Sequence, residues 1–495
     1  MVRRSIDRRR FLVAGGTAAT VLGLAVLPQI GMAQDSVGTP APLARRLAEY
    51  AQALTYADID SATLERLRIH LVDTFGCALG ALDAPPVAMV RKVAESGHGG
   101  RATLIGSNQQ TSAELAAFVN AAAIRFLDLN DGYAGKEPGH PSDLIAACLA
   151  VAQTEGCSIR DFIVSVVLVY EIECRLFDAV ALTPRGWDHP TYSVVAAALG
   201  AGKLMQLSVD QLTEAVNIAL VNNMAMNQTR VGVISLWKAL ANPDAARKGI
   251  FAATLARAGI TGPAPIFEGR AGFEKLVAGG PMNIDTTVFG GRGRRFRINE
   301  CGIKPFPAQG LTISAAIAAI VISTRVPNKD TIASISIATN EMSLRTAAGE
   351  PEKWAPTTRG TADHSLPYVV VRALLDGEIT DSSYSDTKLA EPQVKALLGK
   401  TKVAEDPVLT AAFPKNISSR VTVMLRSGET IAEQVDDVLG SPTHPLSRLD
   451  VEAKFWRTVG PGISRGQGGR LIQLIWTLET APSVDALMAA AAVAV

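Results

Sequence analysis

Aromatic residues are scarce, 5% of a 495-residue chain whose hydrophobic fraction is 48%. A core this poor in rings must be built from Ala, Leu, Val and Ile, which suits helices packed at short range. Neither sign of charge is in excess: Lys and Arg number 48 against 47 Asp and Glu, a net charge of +1. With no interleaving of basic and aromatic residues either, nucleic acid is not an expected partner. The five cysteines (Cys77, Cys148, Cys157, Cys174 and Cys301) are an odd number and show neither a CxxC pair nor metal-ligand spacing. An H-E-x-x-H pattern is missing as well, so no metal is expected.

A membrane-spanning run is also lacking. The apolar stretch 13–27 is too short and too rich in Gly and Thr. It follows Arg8-Arg9-Arg10-Phe11-Leu12, and twin arginines followed by Phe11 and Leu12 resemble a twin-arginine export signal. Small residues at Gly31-Met32-Ala33 stand where a signal peptidase would cut. The expected product is a signal peptide over 1–33 and a mature periplasmic protein from near Gln34, with no stable membrane association after cleavage; an uncleaved membrane anchor is the alternative. A chain folded before export needs no disulfides. Cys77, Cys148 and Cys174 accordingly read as small core residues in apolar helical stretches.

What is present is helical periodicity. In LARRLAEYAQAL and SATLERLRIHLVDTFGCALGAL apolar residues recur at spacings of three and four, and Ala-rich runs continue to about Gly290. The pattern then changes to alternation in RRFRINECGIKPF, TIASISIATNEM and SSRVTVMLRSGETIAEQV, the last with a hairpin turn at Ser427-Gly428. Helix returns from 450. The expected fold is mainly α with an α+β lid: a large all-helical domain over 34–297 and 438–495, and a smaller inserted α+β domain over 298–437. A crevice between two such domains is a common ligand site.

The stretch 127–143, LDLNDGYAGKEPGHPSD, gathers chemistry between two helical segments. Asp128 lies in the last turn of the first, and the expected connection is a loop. His140 stands just before Pro141, and proline favours the first helical position, which predicts His140 at a helix N-cap. Unpaired N–H groups and the positive end of the helix dipole there bind carboxylates and disfavour an imidazolium. The same arrangement recurs in GWDHPT, where His189 precedes Pro190 and the small-residue run SVVAAALGAGKLM. Two such caps predict one shared site. His70, inside an amphipathic helix, and His444, in a Pro- and Ser-rich turn, read as structural. Lys238, in a polar-poor setting, is either a carboxylate-binding group or a solvated surface lysine. GGRGRR at 290–295 reads as a basic linker and not as a phosphate loop.

Six ordered matches spread over essentially all the mature chain: LDLNDGY with GHPSD, GWDHPT, SLWKALANPDAARKG, IKPFPA, TADHSLPYVVVRALLDGEIT and HPLSRLDVEAKF. Together they resemble the MmgE/PrpD family, which includes 2-methylcitrate dehydratase, cis-aconitate decarboxylase and iminodisuccinate epimerase. The resemblance implies a homodimer that uses no metal or organic cofactor. It places Asp128, His140, His189, Lys238 and Lys304 as catalytic residues in the cleft, with Asp131, Gln309 and Tyr368 binding substrate. His364 falls beside them, with the lid's own packing as its alternative role. Two positions depart from the pattern. Gly132 stands where relatives often carry a hydroxyl. Gln309 stands where the decarboxylase branch has a histidine five residues after the lid lysine, and glutamine can hydrogen-bond a substrate but cannot shuttle a proton.

The implied activity is α-proton abstraction from a small di- or tricarboxylate by a 2-methylcitrate dehydratase-like hydro-lyase. One histidine would act as base and the other as acid, in an order the sequence leaves open. Asp128 would orient or tune one imidazole, and the two lysines would hold the enolate-like charge. An exported enzyme is separated from the CoA thioesters of the methylcitrate cycle, so the label is a class and not a pathway. The alternatives are an epimerase, isomerase or decarboxylase of a related acid, or a periplasmic carboxylate-binding protein on the same fold.

Overall fold

Small residues set the architecture of the first half. The computed structural model describes residues 40–95 and 99–493; the expected export signal, 1–33, lies outside the described residues. Helices α1 (Leu43–Ala53), α2 (Ser61–Gly80), α3 (Pro85–Glu95), α4 (Ala113–Phe126), α5 (Ile145–Glu155), α6 (Ile159–Ala179), α7 (Pro190–Leu204), α8 (Val209–Val221) and α9 (Ala241–Arg257) follow in order. Ser158 with Asp161 and Ser208 with Gln211 form reciprocal capping boxes that start α6 and α8. Helix α7 is the centre, packed on α6, α8 and α9 and buried from Pro190 to Gly202. A Cβ on Gly249 of α9 would come 2.4 Å from that of Ala197, so α7 and α9 approach more closely than larger residues would allow.

The short strands β1 (Ala102–Thr103) and β2 (Gln110–Thr111) pair with each other. The stretch expected to be a loop then forms two more strands, β3 (Asp131–Ala134) and β4 (Pro138–Gly139). Both antiparallel edges of β3 are used, by β4 and by the distant β5 (Gly302–Ile303), with Asp131 opposite Ile303 and Gly132 opposite Gly302. Every residue of β3 thus has a strand partner, and the pairing carries Lys304 to the Asp128–His140 stretch.

The alternating segments make a four-stranded sheet from β6 (Ile332–Thr339), β7 (Thr401–Glu405), β8 (Ser419–Leu425) and β9 (Thr430–Val435). Its order is β7-β6-β8-β9, with β6 and β7 parallel and the other pairs antiparallel. The hairpin turn falls at Ser427 and Gly428, whose φ of 90° suits glycine. Helix α10 (Ile313–Arg325) and the helix Leu366–Asp376 pack together, with α10 lying on β8 and β9.

Buried apolar residues form two clusters. One holds residues up to Ile303 and again from Leu446, and the other runs from Ala308 to Val423. The chain passes from the first to the second through Lys304–Pro307, just before Gln309. All five cysteines are free, and Cys77, Cys148, Cys174 and Cys301 are buried. No described helix is long and apolar enough to cross a membrane.

Candidate active site

Asp128 follows the C-cap residue of α4 and adopts a left-handed backbone with φ 52°. Glycine usually takes that place, and an L side chain there costs on the order of 1 kcal/mol. The turn folds the carboxylate back into a nest of cations. Arg125 Nη1 donates to Oδ1 at 2.5 Å, Lys304 Nζ to Oδ1 at 2.6 Å and to the main-chain oxygen at 2.9 Å, and Lys238 Nζ to Oδ2 at 3.2 Å. Burial opposes ionisation of Asp128, but Arg125, Lys238 and Lys304 outweigh it and hold the carboxyl well below its usual range.

His140 and His189 sit at N-caps, as their Pro-flanked positions predict: His140 before the turn Pro141–Leu144 that enters α5, His189 before α7. Their ring centroids are 5.7 Å apart. The hydrogen bonds fix both tautomers. Arg125 Nη2, which can only donate, lies 3.0 Å from His140 Nε2, so that nitrogen accepts and Nδ1–H donates to the Asp131 carbonyl at 2.6 Å. His189 repeats the pattern, with Arg230 Nη2 at 3.3 Å from Nε2 and Asp188 Oδ1 at 3.0 Å from Nδ1. Burial and then Arg125 hold His140 well below the ordinary imidazole range. Burial and Arg230 lower His189 to about 4, against the opposing pull of Asp188. Both rings are therefore neutral bases at neutral pH. Phe177 meets His189 edge-on at 6.3 Å. Gly139 lets β4 lie on that phenyl ring, since a Cβ there would be 2.0 Å from Phe177 Cζ.

A third histidine joins from the second cluster. His364 Nδ1 is 2.5 Å from Asp363 Oδ1, and its Nε2 is 3.6 Å from Asp128 Oδ2. Burial and then Lys238 lower it to about 4. Lys238 also lies 3.6 Å from Asp363, and burial lowers its ammonium to about 8 despite Asp128 and Asp363. Asp128, His140, His189, Lys304, Gln309 and His364 all line one cavity of about 770 Å³, a size suited to small ligands.

The five residues expected to be catalytic are thus brought together, but Lys238 does not line the cavity and joins the group through Asp128. Gln309 also lines the cavity, its main-chain N–H donating to the Asp363 carbonyl at 2.8 Å. Asp131 and Tyr368, expected to touch substrate, do not line it. Side chains alternate along β3, so Gly132 faces the cavity and Asp131 faces inward. The Asp131 carboxylate accepts from Ser142 N at 3.1 Å and lies 3.4 Å from the buried His70, and burial raises it to about 6. Tyr368 belongs to the second core, where its hydroxyl donates to the Ser383 carbonyl at 2.7 Å.

Sequence reasoning missed Arg125, Asp188, Arg230 and Asp363. Two carry a cheap signal, because Asp188 and Asp363 each directly precede a site histidine. Arg125 is the one basic residue of an Ala-rich helix, and Arg230 lies in a turn with no periodicity to mark it. Asp128, Asp363 and His364 could offer three ligand atoms within 4.8 Å of one another. The ammonium groups of Lys238 and Lys304 already occupy those carboxylates, and a metal ion would meet them as like charges.

Residues 45–284 match the MmgE/PrpD N-terminal domain and residues 306–480 the MmgE/PrpD C-terminal domain. The chain is 26% identical over 433 residues to 2-methylcitrate dehydratase of Cupriavidus necator, an alignment covering 80% of this chain and 87% of that protein. It is 26% identical over 395 residues to 2-methylcitrate dehydratase of Salmonella typhi, covering 74% and 79%. Human cis-aconitate decarboxylase is 26% identical over 378 residues, covering 74% and 76%.

Proposed function

The chain belongs to the MmgE/PrpD family, and on that premise we propose that its cavity is the active site of a 2-methylcitrate dehydratase-like hydro-lyase. Its substrate is a small di- or tricarboxylate bearing a hydroxyl β to a carboxylate, on the carbon next to the one that loses a proton. The observation that carries this reading is the pair of neutral imidazoles, 5.7 Å apart and each held by a guanidinium at Nε2. A substrate carboxylate competes for Arg125 or Arg230 and frees an imidazole lone pair. That Nε2 takes the proton α to the carboxylate, and the C–H electron pair becomes the double bond as the C–O bond breaks. The hydroxyl leaves as water, with its proton delivered through the neighbouring imidazole. Lys304, on the cavity wall, stabilises the enolate-like charge, and Lys238 holds Asp128.

Decarboxylation is the weaker reading, because Gln309 cannot carry a proton where the decarboxylase branch has a histidine. The deciding experiment offers hydroxy di- and tricarboxylates, 2-methylcitrate among them, in deuterated water. Deuterium in recovered substrate and double-bond absorbance support the lyase; neither appearing on any acid sinks it.

The neutral-base requirement gives this reading a pH signature. An imidazole at its usual pKa would begin to lose activity below about 6.5. His189 protonates only near about 4, so kcat/KM should hold below pH 6.5 and fall as the pH approaches that value. On the alkaline side activity should decline through about 8, where Lys238 loses its charge beside Asp128. A kcat/KM profile with its acid limb at 6.5 would contradict the assignment.

The proposal extends to a homodimer exported by the twin-arginine route. Arg8, Arg9 and Phe11 support the export. Exposed Met226, Val233, Leu236 and Trp237, on the segment that also carries Arg230 and Lys238, support the dimer. A monomeric mass in solution would contradict the latter.

A further inference from the structure

The cations at the centre of the site each have a carboxylate of the chain within hydrogen-bond reach. Arg125, Lys238 and Lys304 hold Asp128, and Arg230 holds Asp188. Lys353 is different. It lies in the turn Pro351–Trp354, whose position is fixed from two sides: the Ser365 hydroxyl donates to the Lys353 carbonyl, and the Trp354 indole donates to the Ala348 carbonyl at 2.9 Å. Ser365 also caps the helix Leu366–Asp376, so the turn is tied to the segment bearing Asp363 and His364. The Lys353 side chain lines the cavity but is only 1% exposed. Glu350 Oε2 is 3.9 Å from its ammonium, beyond hydrogen-bond reach, and the ammonium donates no hydrogen bond among the described residues. Burial lowers its pKa, with Glu350 and Asp363 opposing only in part. Gln309, on the same cavity, has a buried Oε1 with no partner.

An ammonium on a cavity wall whose carboxylate partner lies beyond hydrogen-bond reach can take up a ligand carboxylate. A ligand carboxylate in the cavity can accept from Lys353 Nζ and from the Gln309 amide Nε2. We propose that Lys353 and Gln309 form a second carboxylate subsite, which reads a carboxylate other than the one beside the transferred proton. The subsite makes the enzyme select polycarboxylates over acids lacking that group. This inference rests on the lyase reading of the cavity, but its test does not depend on turnover.

The test compares tricarballylate with glutarate, which has the same three-carbon chain without the central carboxylate and, like tricarballylate, no hydroxyl to eliminate. Calorimetric titration of the wild-type chain should show tricarballylate binding on the order of 10- to 100-fold more tightly, the effect of one charge-assisted carboxylate contact. K353M should abolish most of that preference while leaving glutarate affinity within a few-fold, and K353R should retain part of it. Should K353M not fold, K353Q takes its place, with folding checked by thermal melting. A wild-type protein that binds both acids equally, or a variant that weakens both by the same factor, overturns the subsite. Deuterium exchange without the binding preference would leave the lyase standing and remove the subsite. The preference without exchange on any acid would do the reverse.

Discussion

Replacing His189 by alanine should lower kcat by roughly 10²- to 10⁴-fold, the range for removing a positioned general acid or base. His140→Ala should cost a similar factor. The two rings are neighbours at 5.7 Å, both neutral and both fixed with Nδ1–H pointing away from the cavity cations. A proton taken by one can be passed on through the other, so they act as a unit. The double variant should then lose little more than the more damaging single, as groups that work together are strongly non-additive. Steady-state turnover of the three variants decides this. A retired enzyme that only binds carboxylates would keep ligand affinity in all three and have no turnover to lose. Turnover by H189A within tenfold of wild type would remove His189 from the chemistry.

The second large effect concerns stability. Asp128→Asn should destabilise the fold by about 3–5 kcal/mol, the usual result of removing one partner from a buried ionic cluster. Three cations converge on this fully buried carboxylate, and each would be left short of its counter-charge. Asparagine fits the same volume and tolerates the left-handed φ of 52°, so the loss would be electrostatic and not a backbone effect. The pH dependence provides a check. Lys238 is already depressed to about 8 in the wild type, and without Asp128 it falls further. The unfolded chain then binds more protons than the folded one over a wider range extending up to the ordinary lysine value, and stability rises with pH across it. Denaturant unfolding of D128N should therefore recover part of the loss on going to alkaline pH, beginning below the wild-type value. A variant as stable as wild type would show that the cations balance one another through other partners.

Local signals told most about the fold. Apolar spacing marked the helices, alternation marked the second-half strands, and the paired His-Pro sequences marked the caps at His140 and His189. What stayed hidden depends on distant partners. Nothing near Asp131 announces that it will pair with Ile303, 172 positions away (303 − 131), yet that register turns Asp131 inward and Gly132 toward the cavity. Tyr368 was placed near substrate by resemblance, but it lies on the core side of its helix, anchored to Ser383. Arg125 looks like any charge on an Ala-rich helix until Asp128, His140 and the turn in α4's last residues close around it. Site chemistry was legible where it followed from a cap or an adjacent residue, and hidden where tertiary register set the direction of a side chain.

The measurement that bears most directly on the central claim is solvent exchange at the carbon next to a substrate carboxylate. The wild-type protein incubated with 2-methylcitrate and related hydroxy acids in deuterated water should place deuterium at that carbon, followed by mass spectrometry, and H140A and H189A should each slow the incorporation by at least 100-fold, the lower end of the range for losing a general base. Exchange that persists unchanged in both variants would show that these imidazoles are not the proton-moving groups.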